Sequence, residues 1–252
     1  VNSKKLYDRE FYNYQAESSY RSAKVVVPLL LREVIRPESV VDVGCGVGAW
    51  PAVFREHGVE RYLGLDGESV DRSMLLIPEE RFRVLDLSRP FRLAESFDLA
   101  VSLELAEHLP PESAKGFVES ITRLAPVILF SAAVPLQGGL HHINEQWPEY
   151  WEDLFSRHGF TMLDPLRKLI WQDSRVEWWY RQNIFLYVRN DLIESDPVFR
   201  RLAETNIPAG QRLTLIYAPV LEANLGLKGC LKRLPCLLWP AFFRQLKRLF
   251  KI

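Results

Sequence analysis

Short apolar runs alternate with amphipathic stretches along this chain, the pattern of a largely parallel β-sheet covered by helices on both faces. Ser39 to Val43, Arg61 to Leu65, Phe82 to Leu85, Phe97 to Leu103 and Val127 to Val134 read as five strands, with helices expected between them. Phe160 to Asp164 and Ile184 to Arg189 read as two more, separated by a Trp-rich excursion that lacks a helical period. Ahead of the first strand, Ser22 to Arg36 sets Val25, Val26, Leu29, Leu30 and Ile35 at near-helical spacing. That stretch ends before Pro37, as a covering helix would. The expected organisation is an N-terminal cap and covering helix over 1–36, a catalytic α/β body over 37–190 and a C-terminal helical extension over 191–252.

Composition agrees with one enzyme-sized unit, since 252 residues at 48% hydrophobic can bury a full α/β core. The formal net charge is zero, so no bulk field draws nucleic acid, and no nucleic-acid partner is expected. Three cysteines, Cys45, Cys230 and Cys236, have no zinc-type spacing and suit a reducing compartment. With neither a leading signal pattern nor a bilayer-length apolar run, a cytoplasmic location is expected.

The chemistry concentrates where the first strand turns into a helix. In VVDVGCGVGAW, Val40 to Trp50, the three alternate glycines Gly44, Gly46 and Gly48 let the backbone approach a ligand, and the following helix start offers free N–H groups and positive dipole. Gly44, Gly46 and Ala49 also satisfy the looser dinucleotide pattern, so a nicotinamide-dependent oxidoreductase competes for the loop. Asp42 on the strand end suits a cationic ligand instead, because its carboxylate accepts from an ammonium group and repels a pyrophosphate. RYLGLD then ends in Asp66, at the spacing of a ribose diol acceptor, and FRVLDL ends in Asp86 and Leu87.

From Val25 to Asn190 the chain resembles the class I S-adenosylmethionine-dependent methyltransferases, whose glycine loop, ribose acid and adenine-edge acid follow in this order. The resemblance implies a doubly wound, Rossmann-like α/β sheet of seven strands with the last antiparallel, and S-adenosylmethionine as cofactor. It implies Asp42, Gly44, Gly46 and Gly48 around the methionine part, Asp66 on the ribose hydroxyls, and Asp86 with Leu87 at the adenine. Asp86 has a plainer alternative, capping a turn ahead of Ser88 and Pro90. The aromatic segment with Tyr7, Phe11, Tyr12, Tyr14 and Tyr20 around Gln15 either folds over the cofactor pocket, as in the resembling enzymes, or packs the covering helix onto the sheet.

A second constellation follows the fourth strand. Glu104, Glu107 and His108 stand at i, i+3 and i+4, so a helix there would point all three one way. The loop PLQGGLHHINEQW, Pro135 to Trp147, has Gly138 and Gly139 to let His141 and His142 swing over the same strand ends. Oxygen and nitrogen donors without a thiolate invite Mg²⁺ or Mn²⁺, with Glu104, Glu107, His108 and His142 as the ligand set. This local motif resembles metal-dependent O-methyltransferases, including small-RNA 2′-O-methyltransferases and ubiquinone-pathway enzymes. In a metal-free version the Glu-His pair supports the donor pocket, and a general base comes from His141 or His142, with His108 next.

Trp147, Tyr150, Trp151, Leu154 and Phe155 have helical spacing and read as core, whereas Trp178, Trp179 and Arg181 are substrate-site candidates. Ser102 to Asn183 also resembles bacterial methyltransferases of glycan and cell-surface polysaccharide synthesis, through SLELAEHLPP and HHINEQWPEYW. That implies a small-molecule or glycan acceptor and O-methylation of a sugar hydroxyl. The alternatives are N- or phosphate-methylation of a small metabolite, or donor binding without catalysis. After Glu222 no acidic residue remains, while Lys228, Lys232, Arg233, Arg244, Lys247, Arg248 and Lys251 gather among apolar neighbours. Such a tail fits peripheral contact with the inner membrane face, dimerisation, or docking on its own domain.

Overall fold

The structure is a computed structural model that describes residues 9–206, with side chains from Ala16 onward. Seven strands form one sheet in the order β3-β2-β1-β4-β5-β7-β6. They are β1 (Ser39–Val43), β2 (Arg61–Asp66), β3 (Phe82–Val84), β4 (Leu99–Leu103), β5 (Val127–Ser131), β6 (Phe160–Leu163) and β7 (Phe185–Arg189). The first five run parallel, and β7 lies antiparallel between β5 and β6. Every residue of β1, β4 and β5 is buried, as a parallel sheet covered on both faces requires.

Alternation along β1 decides which side chain faces which layer. Val40 joins the core under α1 (Arg9–Glu33) and α2 (Ala49–Glu56), with Val26, Leu30, Val53 and Phe54. Val41 and Val43 join the opposite core, with Phe117, Ile121, Phe130, Phe155 and Tyr187. Asp42 therefore turns to the α1/α2 side, like Val40. The second core is aromatic at its centre, where Phe155 and Tyr187 stack at 3.9 Å and Phe130 meets both edge-on. Truncating one such ring to alanine costs about 3–5 kcal/mol.

Three local expectations change. The covering helix runs from Arg9 among the described residues, well ahead of Ser22, and absorbs Pro28, with Ala23, Val26, Val27 and Leu30 wholly buried along its inner face. Helices between all strands are not found. Two 3₁₀ turns bridge β2 to β3 and no helix joins β3 to β4, where Pro78, Pro90 and the Asp86 turn interrupt any helical run. The Trp-rich excursion, conversely, contains α5 (Arg167–Ile170) and α6 (Trp178–Asn183). Beyond β7, α7 (Asn190–Ser195) and α8 (Pro197–Glu204) return to the sheet, and Phe199 shares the core with Val26 and Leu30. Among the described residues no helix is long and apolar enough to cross a membrane. Tyr7, the side chains of Phe11, Tyr12 and Tyr14, Cys230, Cys236 and the basic tail from Lys228 to Lys251 lie outside the described residues.

Candidate active site

Strand order reverses between β1 and β4, so the loops leaving their C-terminal ends diverge and open a crevice. One wall is the glycine turn. Gly44 and Gly48 have φ of +86° and +84°, and a Cβ on either would come within 2.7 Å of Leu105 or 2.8 Å of Ile77. Both positions therefore require glycine, for conformation and for space. Gly48 is also the N-terminal cap of α2.

Asp42, Gly44, Gly46, Ala49, Trp50, Leu103 and Tyr180 line a cavity closed by Ala16 and Ser19 of α1, which encloses only about 30 Å³. Ligand pockets ordinarily measure roughly 300–1,000 Å³. Asp42 is 2% exposed and its Oδ2 has no hydrogen-bond partner among the described residues. Burial, with the Asp66 carboxylate nearby, pushes its carboxyl well above the usual range. Asp66 accepts from the backbone N–H of Gly46 at 2.7 Å and of Gly67 at 2.6 Å. Burial raises its carboxyl, and these two donors limit the rise.

Asp86 is exposed and accepts from Ser88 N and Ser88 Oγ at 3.0 and 2.6 Å, with Arg89 alongside. It caps its turn, the alternative noted from sequence. Leu87 packs in the second core, with Leu63, Leu65 and Phe91. Neither lines the glycine-loop cavity.

A second cavity of about 220 Å³ adjoins the first, lined by Glu104, Glu107, His108, Gln137, Gly138, Gly139, Leu140, His142, Trp178 and Trp179. Ser19 and Tyr180 line both, joined by a 2.9 Å hydrogen bond between their hydroxyls. The expected helix from Glu104 to His108 is only a 3₁₀ turn over Ala106–His108, and Glu104 itself has φ of +53°. That kink interrupts the helix and turns Glu104 away from the ligand cluster while leaving its carboxylate beside that of Glu107. Glu104 is held by Gln137 Nε2 and Asn183 Nδ2, each at 3.1 Å. Glu107, His108 and His142 instead bring one ligand atom each within 4.8 Å of one another, and Glu104 falls outside this group.

Glu107 is fully buried, and neither carboxylate oxygen makes a hydrogen bond of ordinary geometry among the described residues. Burial and then the Glu104 carboxylate push its carboxyl well above the usual range, opposed in part by the backbone N–H groups of Glu107 and Ala133. His108 is lowered to about 4, first by burial and then by the neighbouring His142, and its Nδ1 is buried without a partner. It is therefore neutral near pH 7, the form that ligates a metal.

His141, at φ +57°, is exposed and does not line this cavity. Of the two adjacent histidines, His142 lines the cavity, while His141 acts on it from outside through a backbone hydrogen bond with His108. Trp178 and Trp179 do line it, from α6 and not from an irregular loop, while Arg181 faces away and donates to the carbonyl of Trp171 at 3.1 Å. Sequence reasoning missed Ser19 and Trp50 around the first cavity, and Gln137, Gln182 and Asn183 around Glu104. Nothing in their local spacing joins residues so far apart in the chain. Glu145 was missed too, although it stands three residues after His142.

Residues 12–173 match the methyltransferase domain family. A curated relative, "Probable tocopherol O-methyltransferase, chloroplastic" of Oryza sativa subsp. japonica, is 34% identical over 99 residues, covering 36% of this chain. The match spans only 26% of that protein. Among solved structures, Streptomyces venezuelae DesVI superposes with a TM-score of 0.53 at 16% identity, covering 75% of this chain and 99% of that one. Magnesium protoporphyrin IX methyltransferase of Synechocystis PCC 6803 with bound SAH gives 0.51 at 17%, covering 73% and 91%. These two likenesses concern the fold. The family match decides between the two readings of the glycine loop, against the nicotinamide one, and the chain belongs to the methyltransferase domain family of class I S-adenosylmethionine-dependent enzymes.

Proposed function

We propose that this protein is an O-methyltransferase that transfers the methyl group of S-adenosylmethionine to a hydroxyl of a sugar or glycan precursor, with a divalent cation held by Glu107, His108 and His142. The observation that carries this reading is the buried, unpartnered Glu107 carboxylate beside two imidazoles, in a cavity next to the glycine loop. An apolar or hydrogen-bonded interior would cost less, since leaving a buried polar group unsatisfied costs about 1–3 kcal/mol and more for a charge. A cation repays that cost. One carboxylate and two imidazoles favour Mn²⁺ over Mg²⁺, which prefers oxygen ligands.

The donor side fits the sulfonium cofactor by the same test. Asp42 turns an unpaired oxygen into the first cavity, where an ammonium group would satisfy it. The glycine cradle accepts backbone contact that a side chain would block.

A divalent ion held there would acidify and orient an acceptor hydroxyl, whose oxygen takes the methyl as S-adenosylhomocysteine leaves and whose proton passes to solvent. The remaining work falls to this chain. His108 and Glu107 sit on one turn, so their spacing is fixed by the backbone. Trp178 and Trp179 flank the cavity and offer apolar faces to a sugar ring. The wall formed by Ser19 and Tyr180 sets how the two substrates meet, a matter of positioning worth several kcal/mol. The named O-methylating relative supports an oxygen acceptor.

The test is a labelled-methyl screen with the full chain against sugars, nucleotide sugars, lipid-linked glycans, amines and phosphate esters. Label should appear on a sugar oxygen, fall on thorough chelation and return with Mn²⁺. Transfer only to nitrogen or phosphate, or turnover indifferent to chelation, overturns the acceptor or the cation part respectively.

A further inference from the structure

We infer that Glu145 is a positioning residue, whose carboxylate fixes both the tautomer and the location of the His142 ring so that Nε2 alone keeps a lone pair for a cation shared with Glu107 and His108. The inference rests on the reading that His142 works at the second cavity, and it concerns how the chain prepares that ring before any ligand arrives.

Three donors converge on Glu145. Its Oε1 accepts from Gly138 N at 2.6 Å and lies 3.2 Å from His142 Nδ1, while Oε2 accepts from Leu136 N at 3.0 Å. An ionised carboxylate has only lone pairs to offer, so a ring nitrogen bonded to it must carry the proton. Nδ1 is then N–H, and Nε2 is the ring's one acceptor or ligand atom. Carboxylate partners of this kind orient ligating histidines in metal sites generally.

Glu145 also holds the loop that carries the ring. Leu136 and Gly138 have φ of +75° and +69°, conformations that need support at a leucine above all, and Glu145 bonds the backbone N–H of each. Gly139 supplies independent evidence that the ring's place is specified. A Cβ built there would overlap Nε2, Cε1 and Cδ2 of His142, so the chain leaves room at 139 for this one ring position. The loop, the glycine and the carboxylate agree on a single arrangement, with the His142 and His108 rings edge to face at 5.0 Å.

The experiment is ¹⁵N NMR of the histidine rings in the full chain, which has five histidines, combined with Mn²⁺ titration by electron paramagnetic resonance. In metal-free wild type the His142 signals, assigned with His142→Gln, should report a proton on Nδ1 and none on Nε2. Glu145→Gln, which keeps the shape but offers one acceptor oxygen where two are used, should mix the tautomers and weaken Mn²⁺ about 10- to 100-fold. Glu145→Ala should do more, and Gly139→Ala should displace the ring with Glu145 intact, so that a folding failure in one variant leaves the others to decide. A proton on Nε2 in the wild type, or Glu145→Gln with unchanged tautomer and unchanged affinity, overturns the inference. If the wild type binds no Mn²⁺, the cation reading of the preceding subsection falls, and the ring tautomer alone decides this one.

Discussion

The two cavities are built by opposite means. The donor side is mostly backbone, drawn from consecutive residues: a strand, three glycines and a helix start within Val40 to Trp50. The second cavity, proposed above to take the acceptor, is side chains from three distant segments, 104–108, 137–145 and 178–183, locked together by Gln137, Asn183 and Glu145. Backbone cradles tolerate change in the surrounding side chains but no change at the glycines. Side-chain clusters tolerate little change in the groups that aim them, even when those groups touch no substrate.

The largest expected effect comes from removing the central acceptor-side group. Glu107→Ala should lower methyl transfer by about 10²-fold or more, since it removes the one carboxylate proposed to hold the cation. Binding of S-adenosylhomocysteine should stay within about twofold by calorimetry. The variant's melting temperature reads the fold separately, because the substitution removes a desolvated carboxyl and leaves a buried cavity in its place. A fall in both binding and transfer would erase the proposed division of labour.

Gly44→Ala attacks the other side. The alanine must hold a positive φ and meet Leu105 at 2.7 Å, so donor affinity should drop by about 10-fold or more. The fold should survive at some cost in melting temperature. Unchanged donor affinity would mean that the loop is not the cradle.

A smaller effect sharpens the comparison through pH. Burial, then Asp66, raises the Asp42 carboxyl, so it binds its proton more tightly in the free protein than in water. A cationic donor favours the carboxylate and lowers that pKa. Binding should therefore expel a proton, and affinity should climb with pH through the free-state pKa and level off above it. Calorimetry in two buffers of different ionisation enthalpy reads the released proton directly, and Asp42→Asn should abolish the difference.

Asp86→Ala should change least. Its oxygens serve Ser88 and its side chain is 59% exposed, so donor affinity should stay within about twofold and stability should fall by about 0.5–1.5 kcal/mol. A tenfold loss of donor affinity would restore the adenine role that the family resemblance implies.

The same contrast explains what could be read from sequence. Short apolar runs pointed to all seven strands, because six are largely buried and carry their pattern locally, with only the short β3 left half-exposed. Asp42 and the glycines were legible for the same reason, since conformation and ligand approach are properties of adjacent residues. The cluster was half legible. Glu107, His108 and His142 stood out as residue types, but a helix assumed over 104–108 put Glu104 among them, whereas its backbone N–H bonds Ser131 and its carboxylate is held by Gln137 and Asn183, all from elsewhere in the chain. Adjacent histidines such as His141 and His142 are equivalent to any sequence argument until a loop turns one of them outward. Glu145 carried a usable signal, a carboxylate three residues beyond a candidate histidine, in a loop already marked by two glycines.

The hydroxyl pair of Ser19 and Tyr180 is a party wall: each chamber presses on one side of it. Any trimming there enlarges one room at the expense of the partition itself, so, with the occupants proposed above, neither fit can be retuned through these residues without altering the other. Selection for a new acceptor would have to work around them, through Leu140, Trp178 and Trp179, which border only the second room.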